Sequence, residues 1–162
     1  MSLEQFNFLL LIMAITGLVV FVALYFVEAG YGKMISDKWG PAINNKVAWV
    51  IMECPVFFVM LYLWGMSERT WEIAPLVMFL IFQAHYFQRS FVFPFLLKGK
   101  SKMPITIMMM GFIFNLMNGT IQGYWIFYLS PADMYTPAWL TTPQFIVGTC
   151  IFIIGFIINL HS

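Results

Sequence analysis

The sequence predicts an all-α integral membrane protein, a polytopic helix bundle forming a single transmembrane domain over 1–162. Three observations predict it. Hydrophobic residues fill 62% of the 162 positions and charged residues only 9%, too few charges to cover a soluble surface. Mean hydropathy is +0.86. Apolar runs recur at the length a helix needs to cross a hydrocarbon core, about 20 residues for roughly 30 Å. The runs are unbroken rather than alternating, which excludes barrel strands. A net charge of +1 leaves no large basic surface for nucleic acid.

Five runs have the required length. The first covers about 6–27. It has no basic region before it and no small-residue cleavage site after it, so it reads as a retained span. "EAGYGKMISDKWGPAINNK" follows, with Gly, Pro and Asn as turn formers. The second run is about 47–66 and contains "ECP". After "SERTWEI" comes the third, about 74–97. "KGKSK" leads to the fourth, about 104–129. "SPADMYTPAWLTT" leads to the fifth, about 143–160. No internal repeat is visible, which weighs against a transporter built from inverted halves. Cys54 and Cys150 both lie in apolar runs and read as free packed thiols.

Lysine placement sets the orientation. Lys33, Lys38 and Lys46 are in the first connection, and Lys98, Lys100 and Lys102 in the third. The second has only Arg69 and the fourth no basic residue. Positive charge stays on the cytoplasmic side. The first and third connections are therefore expected in the cytoplasm, with the N-terminus outside.

Polar groups inside the runs are the candidates for function. Asp, Arg or Lys near a span's centre costs about 2.5–3.5 kcal/mol on insertion scales. The second run carries Glu53. The third carries Gln83, His85, Tyr86, Gln88 and Arg89, and the fourth Asn115, Asn118 and Gln122. Asn115, Asn118 and Gln122 stand at i, i+3 and i+7, within one arc of a helix at ~100° per residue. His85 and Arg89 share a side, as do Tyr86 and Arg89. Together they suggest one internal cavity, in the inner half of the membrane and open to the cytosol. Blander readings stay open. Asparagines in spans also glue helices together, at roughly 0.6 kcal/mol per bond. Glu53 and Arg89 could be a buried ion pair without chemistry, or Glu53 could support a kink at Pro55.

A protonated carboxylic acid and a phenol can both donate to one carbonyl oxygen, an arrangement suited to an enolate as it forms. The fitting substrate is an α,β-unsaturated ketone. Hydride adds at its β-carbon and charge collects on the oxygen. The donor would be a nicotinamide cofactor. No G-x-G-x-x-G or P-loop pattern marks its site, and no metal-ligand pattern is present. "GYGK" at 30–33 is a turn, with or without a phosphate-facing lysine. Lys98, Lys100 and Lys102 could meet phosphates, though the orientation rule explains them without a ligand.

Several segments, in order along the chain, resemble motifs of membrane steroid 5α-reductases. "HYFQRSFVFPFLLKGKSKMP" resembles their H-Y-F-x-R-x-F-V segment. "GYGK" resembles a first-loop motif, "AWVIMECP" an A-W-x-x-Q-E-x-P segment, and "NGTIQGYW" an N-G-x-x-Q-G-Y-Y segment. "GFIINLHS" resembles the start of N-x-H-S-D. The resemblance implies an NADPH-dependent reductase that saturates the Δ4 double bond of 3-oxo-steroids. It implies that Glu53 and Tyr86 bind the substrate's 3-carbonyl and that Asn118 and Gln122 line the substrate cavity. Asn159, Tyr31, Lys33, Lys98 and Lys100 would face the cofactor, and His85 and Arg89 would support the site. Met52 stands where the family has Gln. The family's bundle has about seven spans and runs on past the position of Ser162, so a longer chain is expected. The setting would be a bacterial inner membrane or the endoplasmic reticulum, with the cofactor site facing the cytoplasm and membrane lipid around it. Alternatives are an enoyl-thioester or polyprenol reductase, a lipid-modifying methyltransferase of related architecture, or a non-catalytic transporter using Glu53, His85 and Arg89 as a relay.

Overall fold

A computed structural model describes residues 1–27 and 39–161. Among the described residues, the regular structure is helical apart from one short ladder. Helix α1, Leu3–Ala23, opens on a capping box: Gln5 N–H donates to Ser2 Oγ at 3.2 Å, and Ser2 N–H to Gln5 Oε1 at 2.9 Å. These bonds satisfy two of the donors that a helix start leaves unpaired. Phe6 is the one buried residue of α1 and stacks on Trp125, ring centroids 5.7 Å apart. The rest of the helix shows apolar side chains to the surroundings.

Strand β1, Ala42–Asn44, runs directly into α2, Asn45–Gly65; strand β2, Lys102–Pro104, runs directly into α5, Ile105–Tyr124. The strands pair antiparallel, Ala42 opposite Pro104 and Asn44 opposite Lys102. Each strand's flank also caps the other's helix. Asn45 N–H donates to Ser101 O at 3.2 Å, and Ile105 N–H to Pro41 O at 2.9 Å. The sequence gives no sign of this ladder, because three residues are too few for an alternating pattern.

Helices α2 and α5 form the core and run parallel. Their contacts climb both chains together, from Gly111 against Met52, through Gly119 against Val56, to Gly123 against Leu63. A Cβ at Gly119 would meet Val56 Cα, Cγ2 and O, each at 3.2 Å. Glycine is what lets the backbones approach there, as at small-residue interfaces in membranes. Pro55 removes the N–H that would bond Ile51 O, and the Cys54 thiol donates to that carbonyl at 3.8 Å.

The predicted third span is divided. Helix α3, Ile73–Phe87, has 15 residues, about 22 Å at ~1.5 Å per residue. It continues through a π-helical turn, Gln88–Val92, into the short helix α4, Phe93–Leu96. Phe93 N–H reaches back to Gln88 O, and Pro94, next in line, has no N–H to extend the ladder. A second π turn, Trp125–Leu129, ends α5. There the Arg69 guanidinium donates to Ile126 O at 3.1 Å and to Ser130 Oγ at 2.7 Å, a cation placed where helix carbonyls lack partners. A 3-10 turn, Pro137–Thr141, leads to α6, Pro143–His161, which buries none of its residues.

Among the described residues, four helices are long and apolar enough to cross a membrane: Leu3–Ala23, Asn45–Gly65, Ile105–Leu129 and Pro143–His161. The multi-pass all-α architecture stands. The expected count of five is not confirmed: the helical run 73–96 is long enough but carries Gln83, His85, Gln88 and Arg89, which lower its hydropathy.

Candidate active site

Glu53 lies midway along α2, with its side chain only 4% exposed. Oε1 accepts from Arg89 Nε at 2.7 Å, and Oε2 from Asn115 Nδ2 at 3.2 Å. The same Asn115 nitrogen donates to Met52 O at 2.9 Å. Arg89 stands in the first π turn. Its guanidinium lies over the Trp49 ring, 5.0 Å from the centroid, a cation–π contact that helps hold a charge away from water. Trp49 is four residues before Glu53 and so shares its face of α2. The kink-support reading of Glu53 fails, since the freed Ile51 carbonyl is met by Cys54 and not by the acid.

Tyr86 comes from α3. Its oxygen accepts from Asn118 Nδ2 at 2.9 Å, and its ring packs on Phe82 and His85. Two cavities meet at this tyrosine. The first, about 680 Å³, lies among α1, α2 and α5. Glu53, Tyr86, Arg89 and Asn115 form its polar end, and its walls include Met13, Met52, Met103 and Met110. Unbranched thioethers make such walls adaptable to ligand shape. The second, about 490 Å³, lies among α3, α5 and α6, with Tyr86, His85, Asn118, Gln122 and Asn159 on its walls beside Phe152 and Phe156.

The single cavity expected from the polar stripe is therefore two. Asn115 lines the first, while Asn118 and Gln122 line the second, and Tyr86, bonded to Asn118, lines both. Asn118 and Gln122, implied as substrate-lining, share their cavity with Asn159, implied as cofactor-facing. His85 is there too, its Nδ1 buried without a hydrogen-bond partner among the described residues. Lys98 and Lys100 are exposed in the connection before β2 and line neither cavity. Tyr31 and Lys33 lie outside the described residues. The acid expected to be neutral has both oxygens engaged as acceptors, one by an arginine. Sequence reasoning overlooked Trp49 and the helix-spaced pair Gly119 and Gly123. Their signals were the i, i+4 offset from Glu53 and a small-xxx-small pattern.

Comparisons with known proteins agree with the resemblance. The family described as 3-oxo-5-alpha-steroid 4-dehydrogenase matches residues 101–162. Steroid 5-alpha-reductase DET2 of Arabidopsis thaliana is 33% identical over 97% of this chain and 62% of its own length. The 3-oxo-5-alpha-steroid 4-dehydrogenase 2 of Sus scrofa is 36% identical over 87% of this chain and 56% of its own. The corresponding enzyme 1 of Bos taurus is 33% identical over 90% and 57%. The chain thus spans roughly three fifths of the length of the curated relatives it matches.

Proposed function

We propose, for a chain similar along nearly all its length to 3-oxo-5-alpha-steroid 4-dehydrogenases, that it carries the ketone-gripping part of an NADPH-dependent steroid 5α-reductase. The substrate is a 3-oxo-Δ4-steroid, held with its carbonyl at the polar end of the larger cavity. One observation carries the reading: an acid from α2 and a phenol from α3 line the same cavity, whose walls apart from Arg89, Asn115 and Thr16 are largely apolar. Apolar walls suit a rigid hydrocarbon skeleton, and a few convergent polar groups fix its orientation.

Tyr86 is the readier donor. Its oxygen already accepts from Asn118, so its proton is free for the ketone. Glu53 donates only as the protonated acid and after releasing a contact, and the 3.2 Å bond from Asn115 is the longer of its two. Donors aimed at an oxygen that gains charge during the reaction lower the barrier more than they tighten binding.

The second cavity suits a nicotinamide. The phenyl rings of Phe82, Phe152 and Phe156 offer stacking faces, and the amides of Asn118, Gln122 and Asn159 with His85 offer partners for a carboxamide. Bound there, the cofactor supplies hydride. Tyr86, on the wall of both cavities, keeps the two occupants adjacent. We place the connection bearing Lys98, Lys100 and Lys102 in the cytoplasm, with the N-terminus outside. Pairing of β1 with β2 supports one shared side for the first and third connections.

The test is NADPH oxidation by membranes carrying the protein, with and without a 3-oxo-Δ4-steroid. Tyr86→Phe should lower kcat by about 100-fold, and Glu53→Gln should lower it as well. Oxidation independent of steroid, or indifference to both substitutions, removes the assignment.

A further inference from the structure

Two of the amides of helix α5, Asn115 and Asn118, stand about one turn apart and are bonded differently. Asn115 donates to Met52 O as well as to Glu53, so it ties the backbone of α2 to α5. Asn118 has one partner among the described residues, the Tyr86 oxygen at 2.9 Å, and touches no backbone carbonyl. A phenol has one proton and an oxygen that accepts. When an amide N–H occupies the oxygen, the hydroxyl proton must point elsewhere. Tyr86 lines both cavities, so a direction into a cavity is open to that proton.

We propose that Asn118 is a positioning residue: by donating to the Tyr86 oxygen it turns the phenol proton toward the substrate carbonyl. The proposal rests on the reductase reading above. It moves Asn118 from a wall contact of the substrate, as the resemblance implies, to a group that acts through Tyr86. The same bond polarises the O–H it orients, since hydrogen bonds in series strengthen one another.

Asn118→Asp and Asn118→Leu separate orientation from mere packing. The aspartate keeps the shape of the side chain but accepts where the amide donated. It captures the phenol proton, and kcat falls by about 100-fold. The leucine only removes the donor, and kcat falls roughly tenfold. KM for the steroid stays within about twofold in both. Neither substitution lowers the rate further in a Tyr86→Phe background. Additive losses in that background, or a loss confined to KM, overturn the proposal in favour of direct substrate contact. Equal losses for aspartate and leucine reduce Asn118 to helix packing and also overturn it.

A second readout needs no turnover. With 3-fluorotyrosine at position 86, the 19F resonance of the ligand-free protein should move in Asn118→Asp and Asn118→Leu but not in Gln122→Leu, which alters the same cavity without touching the phenol. An unmoved resonance overturns the proposal. A moved resonance in a protein without steroid-dependent oxidation keeps the bond and its orienting effect, and it is then the reductase reading that fails.

Discussion

Helices α2 and α6 are almost equally apolar, yet 39% of the apolar window of α2 is buried within the chain and 0% of that of α6. Both would partition into a bilayer. Among the described residues, only α2 is closely packed against a partner helix. Against α2, helix α5 sets Gly111, Gly119 and Gly123, so that Met52, Val56 and Leu63 sit where side chains would otherwise be. The glycines of α6, Gly148 and Gly155, have nothing within 4 Å of where a Cβ would stand. Hydropathy places a helix in the membrane, but close approach and polar bonds decide which helices build a site. The acid lies on the closely packed helix and not on the loosely packed one.

That comparison is sharpest at the ion pair. Arg89→Leu leaves the buried Glu53 with only the Asn115 amide, and breaking such a pair should cost about 3 kcal/mol of stability. Denaturant titration in detergent micelles measures it, and a cost near zero would mean that Glu53 reaches water or takes up a proton freely. Next in size is Gly119→Ala. Its new methyl meets Val56 backbone that cannot swing aside, so overpacking of about 1–3 kcal/mol is expected in the same titration. Unchanged stability would show that α2 and α5 can separate without loss. Smallest is Gly148→Ala on α6, expected within about 0.5 kcal/mol of the parent. A large loss there would mean that α6 is packed against something in the protein's working form.

Much of the fold was legible because its signals are long. Apolar runs of about 20 residues stand out against loops with Pro, Gly and Lys. Shorter features left no trace. The ladder joins residues 42–44 to 102–104, and only backbone groups carry it. The π turn depends on Pro94 withholding a donor, which the sequence contains but which does not by itself say whether a helix widens, kinks or stops. At the site, Glu53, Tyr86 and Arg89 were legible as costly groups at membrane depth. The division into two cavities was not. Periodicity put Asn115 and Asn118 on one arc, but they differ by about 4.5 Å in height, enough for each to reach a different neighbour. Trp49 stands in the AWVIMECP segment without a legible role, since its use is set by the cation above it.

The ladder at the rim has a further meaning. Because β1 and β2 pass without a break into α2 and α5, their pairing ties the starts of the two helices to each other. A slip of one residue in the ladder would shift one helix start against the other by about 3.3 Å, a displacement comparable with the 2.9 and 3.2 Å bonds linking Asn115 to Met52 and Glu53. A few peptide groups outside the helices thus bear on how the contacts of Asn115 inside the bundle line up.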